Sequence, residues 1–347
     1  MNDRFLRACR LEAVDATPVW FMRQAGRYMS EYRALRKRHS LLDICRHPDL
    51  AVRVTLQPVD KLDVDAAILF SDLLLPLEPM GLPFDFVKGD GPVVERPIRS
   101  ADDIARLRRF DPRESLAHVL DTIGLLRHQL DGRVPLIGFA GAPFTLASYA
   151  IEGGASKQYA HTKALMYGEP ALWHKLCGTL AAIVSDYLTA QVEAGVQAVQ
   201  LFDSWVGALT ASDYREFLLP HSQRILQTAQ TLCVPVIHFG TGTTHLLAEM
   251  RDAGGDVIGV DWRIPIDEAW ETIGSDRAVQ GNLDPTLLLG PIERLVTGTD
   301  DVLARAADRP GHIFNLGHGI LPSTPVEHVQ ALARYVHQRT RRPVTRS

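Results

Sequence analysis

Cysteine is scarce in this chain and never occurs in company. Cys9, Cys45, Cys177 and Cys233 are the only four among 347 residues, and none has the CxxC or His-x-Cys spacing of zinc sites. We expect reduced, mostly buried thiols, without a disulfide frame or a structural metal. Long apolar runs are missing as well: none approaches the ~20 residues that span a bilayer. The polar opening Met1-Asn2-Asp3-Arg4 has no signal-peptide apolar stretch behind it, which predicts a cytoplasmic protein that leaves membranes alone. Excess positive charge is absent; the formal net charge is −4, which argues against a general nucleic-acid binder and requires any polyanion site to be a local concentration of cations. There is no His/Asp/Glu cluster at metal-ligand spacing, no Gly-x-Ser-x-Gly elbow, no P-loop and no Gly-x-Gly-x-x-Gly after an early strand. A reaction on this chain is expected to run without metal or nucleotide.

What is present is enough apolar residue for a large core, 46% of the chain against 22% charged, and a repeating order. Short apolar runs ending in Gly, Asp, Asn or His occur at Val19–Met22, Ala66–Phe70, Leu136–Ala140, Ala198–Phe202, Val236–Phe239, Val257–Val260, Ala278–Asn282 and Ile313–Leu316. They are apolar along their length, the pattern of parallel strands covered on both faces. Helical patterns lie between most of them. Ser100 caps a segment that Pro112 divides; Leu172–Val192 is long and amphipathic; Asp213–Leu232 is interrupted at Pro220; Thr243–Arg251 stops at Gly254-Gly255; Asp284-Pro285 is a cap with its first turn. Thr324-Pro325-Val326-Glu327 reads as a capping box with Pro first, opening a last helix to about Gln338. Eight strands alternating with helices predict one (β/α)₈ TIM barrel over residues 1–347 with extended loops at about 23–65 and Leu75–Asp103. The basic tail Arg339–Ser347 is expected to fray. A doubly wound open sheet is the alternative, weakened by the missing dinucleotide fingerprint.

In Pro18-Val19-Trp20-Phe21-Met22-Arg23-Gln24-Ala25-Gly26-Arg27-Tyr28 an apolar run stops at Arg23, and Arg27 follows across a small Gln-Ala-Gly bend. Arg36 comes shortly after. Guanidinium groups suit bidentate binding of carboxylate or phosphate, so the stretch reads as an anion cradle at a strand end; a solvated basic loop is the competing reading. Active sites of such barrels gather at the C-terminal ends of strands. Those ends offer Arg23, Asp72, Gly141, Asp203 or Ser204, Gly240, Asp261 or Trp262, Asn282 and His318. Singly, Asp72 and Ser204 also read as caps and His318 as a turn residue, while Asp261 and Asn282 read as structural. Together they suggest a multiply anionic substrate and proton-transfer or charge-stabilising chemistry.

Pro18-x-Trp20-x-Met22-Arg23-Gln24-Ala25-Gly26-Arg27 resembles the N-terminal signature of the uroporphyrinogen decarboxylase family. Gly138-Phe139-Ala140-Gly141-Ala142-Pro143-Phe144-Thr145-Leu146, with Tyr149-Ala150-Ile151-Glu152-Gly153-Gly154, resembles its second. Phe70-Ser71-Asp72, Leu201-Phe202-Asp203-Ser204 and Asn315-Leu316-Gly317-His318-Gly319 follow in the family's order. The resemblance implies a cofactor-independent barrel, usually a homodimer, that converts uroporphyrinogen III to coproporphyrinogen III by removing CO₂ from four acetate groups. It implies substrate carboxylates bound by the Arg23-Gln24-Ala25-Gly26-Arg27 loop, Arg36, Tyr149, Ser204 and His318. Asp72 would meet the pyrrole N–H groups, and Arg23 or Arg27 would serve catalysis by supplying or relaying a proton. Two other classes compete: a tetrapyrrole carrier, which needs no central carboxylate, and methyl transfer, which needs a zinc-thiolate site.

Overall fold

A computed structural model describes residues 2–87 and 91–342. Seven parallel strands form one curled sheet: β1 (Ala67–Ile68), β4 (Leu136–Gly141), β5 (Ala198–Asp203), β6 (Val236–Gly240), β7 (Val257–Gly259), β8 (Ala278–Leu283) and β9 (His312–Leu316), neighbours in that order. A separate antiparallel hairpin, β2 (Phe84–Val87) with β3 (Gly91–Val94), lies in the long insertion after β1. The eighth staves' place is taken by residues 18–22. There Phe314 donates its N–H to Pro18 O at 2.9 Å on one side, and Asp65 N–H reaches Val19 O at 2.7 Å on the other. This closes a (β/α)₈ barrel, and the open doubly wound sheet is set aside.

That closing segment is a strand in the sequence pattern and a single bridge, Val19 with Phe314, in the structure. The reason is local. Val19 N–H donates to Asp65 Oδ2, Phe21 N–H to Gln24 Oε1 and Met22 N–H to Asn315 Oδ1, so side chains take amides that a ladder would have used. β1 is likewise shorter than Ala66–Phe70, because Phe70 N–H goes to Thr55 Oγ1 at 2.9 Å.

Alternation of each strand sends one set of side chains inward and the other against the helices. Inside the barrel pack Met22, Ala66, Ile137, Ala198, Ile237, Val257, Ala278 and Ile313, and the short helix Arg4–Cys9 adds buried Phe5, Leu6, Ala8 and Cys9 to the same cluster. The interior also carries a row of polar groups. Trp20 Nε1–H donates to Gln280 Oε1 at 2.9 Å, Gln280 Nε2 to Gln200 Oε1 at 3.1 Å, and Gln200 Nε2 to Met22 Sδ at 3.8 Å. At the entry to β1, Asp65 is 1% exposed and accepts from Asn2, Arg4, Val19 and His337 at 2.6–2.7 Å. Burial works against the His337 imidazolium, but the hydrogen bond and charge of Asp65 outweigh it and raise its pKa.

The helices follow the sequence signals with some revisions. Ser100 caps Ala101–Ala105, and Pro112 does divide that region, with Ala117–Gln129 beyond it. Pro170–Ala194 is the long amphipathic helix, stopped by Gly195 at φ +118°. Ahead of Pro220 the chain does not break: a π-helical turn, Tyr214–Leu218, runs directly into Leu219–Gln230, so the proline sits in a first turn that needs no N–H from it. The Thr324 capping box is a correction. The last helix is Val326–Thr340 with Pro325 at the cap and no side-chain cap bond, and Thr324 Oγ1 is buried without a partner. The tail is partly corrected too: Arg339 and Thr340 are helical, Thr340 Oγ1 accepts from Thr17 N–H at 2.9 Å, and Arg342 N–H reaches Asp15 O at 2.7 Å. Residues 343–347 of that stretch, and Met1 of the polar opening, lie outside the described residues.

Candidate active site

A cavity of about 400 Å³ opens at the C-terminal ends of the strands. Arg23, Ala25, Asp72, Tyr149, Ser204 and His318 line it, so six of the ten expected site residues come together there. Its apolar wall is aromatic. Phe139 and Phe202 meet edge to face at 5.6 Å, Phe202 and Phe239 at 5.9 Å, and Tyr149 lies 3.9 Å from Trp205 between ring centroids.

Asp72 follows β1. Its Oδ1 accepts the Leu74 N–H at 2.9 Å. The cap-like turn expected of it is therefore real, and it leaves the rest of the carboxylate toward the cavity. Burial among apolar neighbours pushes its pKa up to about 6, against the opposing pull of the Leu74 amide and the Arg23 charge. Ser71 and Leu73 also line the cavity.

Arg23 is held in the left-handed region, φ +59°, by its successor. Gln24 is fully buried; its N–H and Oε1 bond back to Phe21 at 3.0 and 3.1 Å, its Nε2 donates to Ala66 O at 3.1 Å, and its carbonyl accepts from Tyr28 OH at 2.6 Å. Gln24 thus locks the bend, and its fully buried side chain is not part of the cavity lining. Gly26 gives the bend its close approach, since a Cβ there would stand 3.1 Å from Arg23 O. Desolvation lowers the Arg23 pKa, with the Arg27 charge acting the same way and Tyr149 and Asp72 opposing.

Arg27 is exposed and off the cavity lining. Arg36 is half-buried and donates to His39 O at 2.9 Å, ending the helix Ser30–Arg36. Both arginines remain close enough to bear on Tyr32, whose ring is 5.5 Å from Phe70. The expected three-arginine cradle is therefore one arginine in the cavity with two outside it.

His318 follows β9. Its Nδ1 accepts the Gly319 N–H at 2.7 Å, which leaves the proton on Nε2. Burial, then the Arg23 and Arg263 charges, lower its pKa to about 4, so near neutral pH it is a neutral hydrogen-bond donor. Tyr149 is pushed up to about 12, chiefly by burial.

The remaining strand ends divide as their chemistry suggests. Of Asp203 and Ser204, only Ser204 faces the cavity. Asp203 is fully buried, accepts from Thr145 Oγ1 at 3.0 Å and is raised to about 7 by burial. Asp261 accepts from the N–H groups of Gly242 and Arg263 and from the Arg263 guanidinium, and Asn282 donates to Asp261 O and Ile264 O at 2.8 and 2.7 Å. Both are structural. Gly141 and Gly240 end their strands against Leu146 and Thr243 rather than in the cavity. Trp205, Thr145, Phe139, Phe202 and Phe239 line it without having been singled out. For Trp205 the signal was available, since it follows Ser204; the phenylalanines were hidden among ordinary core positions.

The fold and cavity define a (β/α)₈ barrel enzyme with one poorly solvated carboxylate facing an arginine, a neutral histidine and aromatic walls. The chain belongs to the uroporphyrinogen decarboxylase family: residues 1–339 match the family model "Uroporphyrinogen decarboxylase (URO-D)". It is 60% identical over 337 residues to a uroporphyrinogen decarboxylase of Sorangium cellulosum, covering 97% of this chain and 96% of that one. It is 54% identical over 338 residues to one from Carboxydothermus hydrogenoformans, with 97% of each chain covered. Among solved structures, a methyltransferase from Methanosarcina mazei superposes with a TM-score of 0.83 at 21% identity, over 97% of this chain and 98% of that one. That likeness speaks for the barrel alone. The zinc-thiolate site that methyl transfer needs has no ligand set here: among the described residues no three His, Cys, Asp or Glu side chains are grouped to hold a metal, and Cys9, Cys45 and Cys177 are buried while Cys233 is exposed.

Proposed function

We propose that this chain decarboxylates the four acetate side chains of uroporphyrinogen III to methyl groups, giving coproporphyrinogen III in tetrapyrrole and haem biosynthesis. Membership of the family from end to end carries the reading, and Asp72 in a poorly solvated cavity beside Arg23 gives it a chemical centre. The reaction uses the pyrrole as its electron sink. A proton adds to the ring carbon next to the one bearing the acetate arm, giving a ring cation with positive charge on the arm-bearing carbon; the bond to the carboxylate breaks, CO₂ leaves and its electron pair neutralises the ring as an exocyclic methylene. Protonation of that methylene and loss of the ring proton give the methyl group, with one proton consumed overall.

Asp72 stabilises the cation. Its carboxylate acts on charge that appears only as the reaction proceeds, in surroundings that screen it weakly. Arg23, Ser204, Tyr149 and the Nε2–H of His318 bind carboxylates, mostly those not reacting, because gripping the scissile one would stabilise the ground state as well. Arg27 and Arg36 act from the rim. A lowered Arg23 pKa also favours a part for it in proton supply. The same reading carries a single catalytic domain over residues 1–347, cytoplasmic placement and a homodimer, which sedimentation at several concentrations would test. Anaerobic incubation with uroporphyrinogen III, following carboxylate number in the product, tests the activity. Products stepping from eight to four carboxylates are expected; complex formation without CO₂ release would favour a carrier instead.

Because Asp72 titrates at about 6 in the free protein and must be charged to act, kcat/KM falls about tenfold per pH unit below pH 6 and levels off above it. A flat profile down to pH 5 would remove Asp72 from that role. Arg23→Ala is expected to weaken substrate or product binding by about ten- to a hundredfold, the range for one charge-assisted hydrogen-bonding group. Arg27→Ala should cost less, since Arg27 stands off the cavity; equal losses in the two variants, seen by titration with coproporphyrinogen, would show that the rim arginine binds directly.

A further inference from the structure

Gly319 lies where the loop after β9 crosses the stem of Arg23. A β-carbon on Gly319 would stand 2.4 Å from Arg23 Cδ, 2.6 Å from Cγ and 3.0 Å from Cβ, and these are its three nearest neighbours. Gly319 is not in the left-handed region, so its backbone accepts alanine and the conflict is with Arg23 alone. The two segments cannot simply part. Ile320 N–H donates to Met22 O at 3.0 Å, on the residue before Arg23, and Gly319 N–H is bound to His318 Nδ1. On the other side Gln24 fixes the Arg23 backbone, and with it the direction of its Cβ. What remains free is the choice of rotamer, and the absent side chain of Gly319 leaves a slot for one of them.

We propose that Gly319 is a positioning residue for the decarboxylation: the slot it leaves selects the Arg23 rotamer that aims the guanidinium into the cavity at a substrate carboxylate. The inference rests on the reading of Arg23 as a carboxylate-binding group. It makes a glycine outside the signature stretch of Arg23, nearly 300 residues further along the chain, responsible for where that arginine points.

A double-mutant cycle on the full chain, Gly319→Ala with Arg23→Ala, decides it. Gly319→Ala alone should raise KM for uroporphyrinogen III about tenfold or more, with a smaller fall in kcat. In the Arg23→Ala background, where Cγ and Cδ are gone, the same change should alter KM by less than about twofold. A second readout needs no substrate. The Arg23 charge contributes to the low His318 pKa, so NMR titration of that imidazole should shift in Gly319→Ala relative to the parent, and not between Arg23→Ala and the double variant. Wild-type KM and His318 titration in Gly319→Ala would overturn the inference, as would fully additive effects in the double variant. An unchanged KM in Arg23→Ala itself would instead overturn the carboxylate grip, and the His318 cycle would still decide the slot. Should Gly319→Ala fail to fold, the double variant is expected to fold; failure of both would refute the slot.

Discussion

Asp72→Asn lowers turnover of uroporphyrinogen III by about 10²–10³-fold, the loss typical of one preorganised electrostatic group, in a protein that melts no earlier than its parent. Asparagine keeps the shape of the side chain and its acceptor for Leu74 N–H, so the β1 turn stands. It removes the charge, and with it the attraction for a ring cation. The stability half of the result follows from sign. Burial raises the Asp72 pKa to about 6, which means the folded state disfavours the ionised form; above pH 6 the parent folds with a charge that costs it stability, and the variant does not. Activity and melting temperature therefore move in opposite directions. Steady-state kinetics with thermal unfolding at pH 7–8 reads both, and near-normal turnover in the folded variant would sink the role. The residual rate of Asp72→Asn should also lose the fall below pH 6.

The largest effect on stability is expected at the other end of the barrel. Asp65→Ala should destabilise the fold by about 3–5 kcal/mol, the cost of removing one member of a buried ion pair. Asp65 accepts from Asn2, Arg4, Val19 and His337, so one change strands a backbone amide of the closing segment, an arginine, and the ties from both chain ends. The Arg4 side chain is 18% exposed and keeps Asp15 as a partner at 2.6 Å, which limits its share; Val19 N–H is buried and has no substitute. Equilibrium urea unfolding at pH 7 measures the loss. A midpoint within error of the parent would mean that water or Asp63 replaces all four bonds.

The barrel was legible in the sequence because parallel strands buried on both faces leave apolar runs of strand length, and eight such runs at helix-bearing intervals admit few folds. The strands that were shortened, 18–22 and β1, are those whose amides turn to side chains, Asp65, Gln24, Asn315 and Thr55. No hydropathy pattern encodes a bond made to a residue 46 or 293 positions away. The capping box at Thr324 failed for a related reason: its composition was right, yet Pro325 took the cap and the threonine hydroxyl was buried unpaired. In the candidate site, residue type at a strand end pointed to Asp72, Ser204 and His318, and all three line the cavity. Spacing could not say which of three arginines faces inward. That depends on the left-handed turn at Arg23 and on the Gln24 side chain that holds it, and Arg-x-x-x-Arg looks the same whether the second arginine points in or out.

The polar row inside the barrel has a sense of travel. Indole can only give a hydrogen bond, so Trp20 obliges Gln280 to face it with oxygen and present its nitrogen onward, and Gln200 must then do the same. Two amides that would fit nearly as well turned end for end are set by a single group that has no choice. Like a type-setter's key letter, the indole at one end dictates the reading of the whole line, and the last character is the Met22 thioether on the cavity wall. The wall next to Arg23 therefore presents the cavity with one electrostatic version rather than two, and the ring that ensures this is not itself part of the lining.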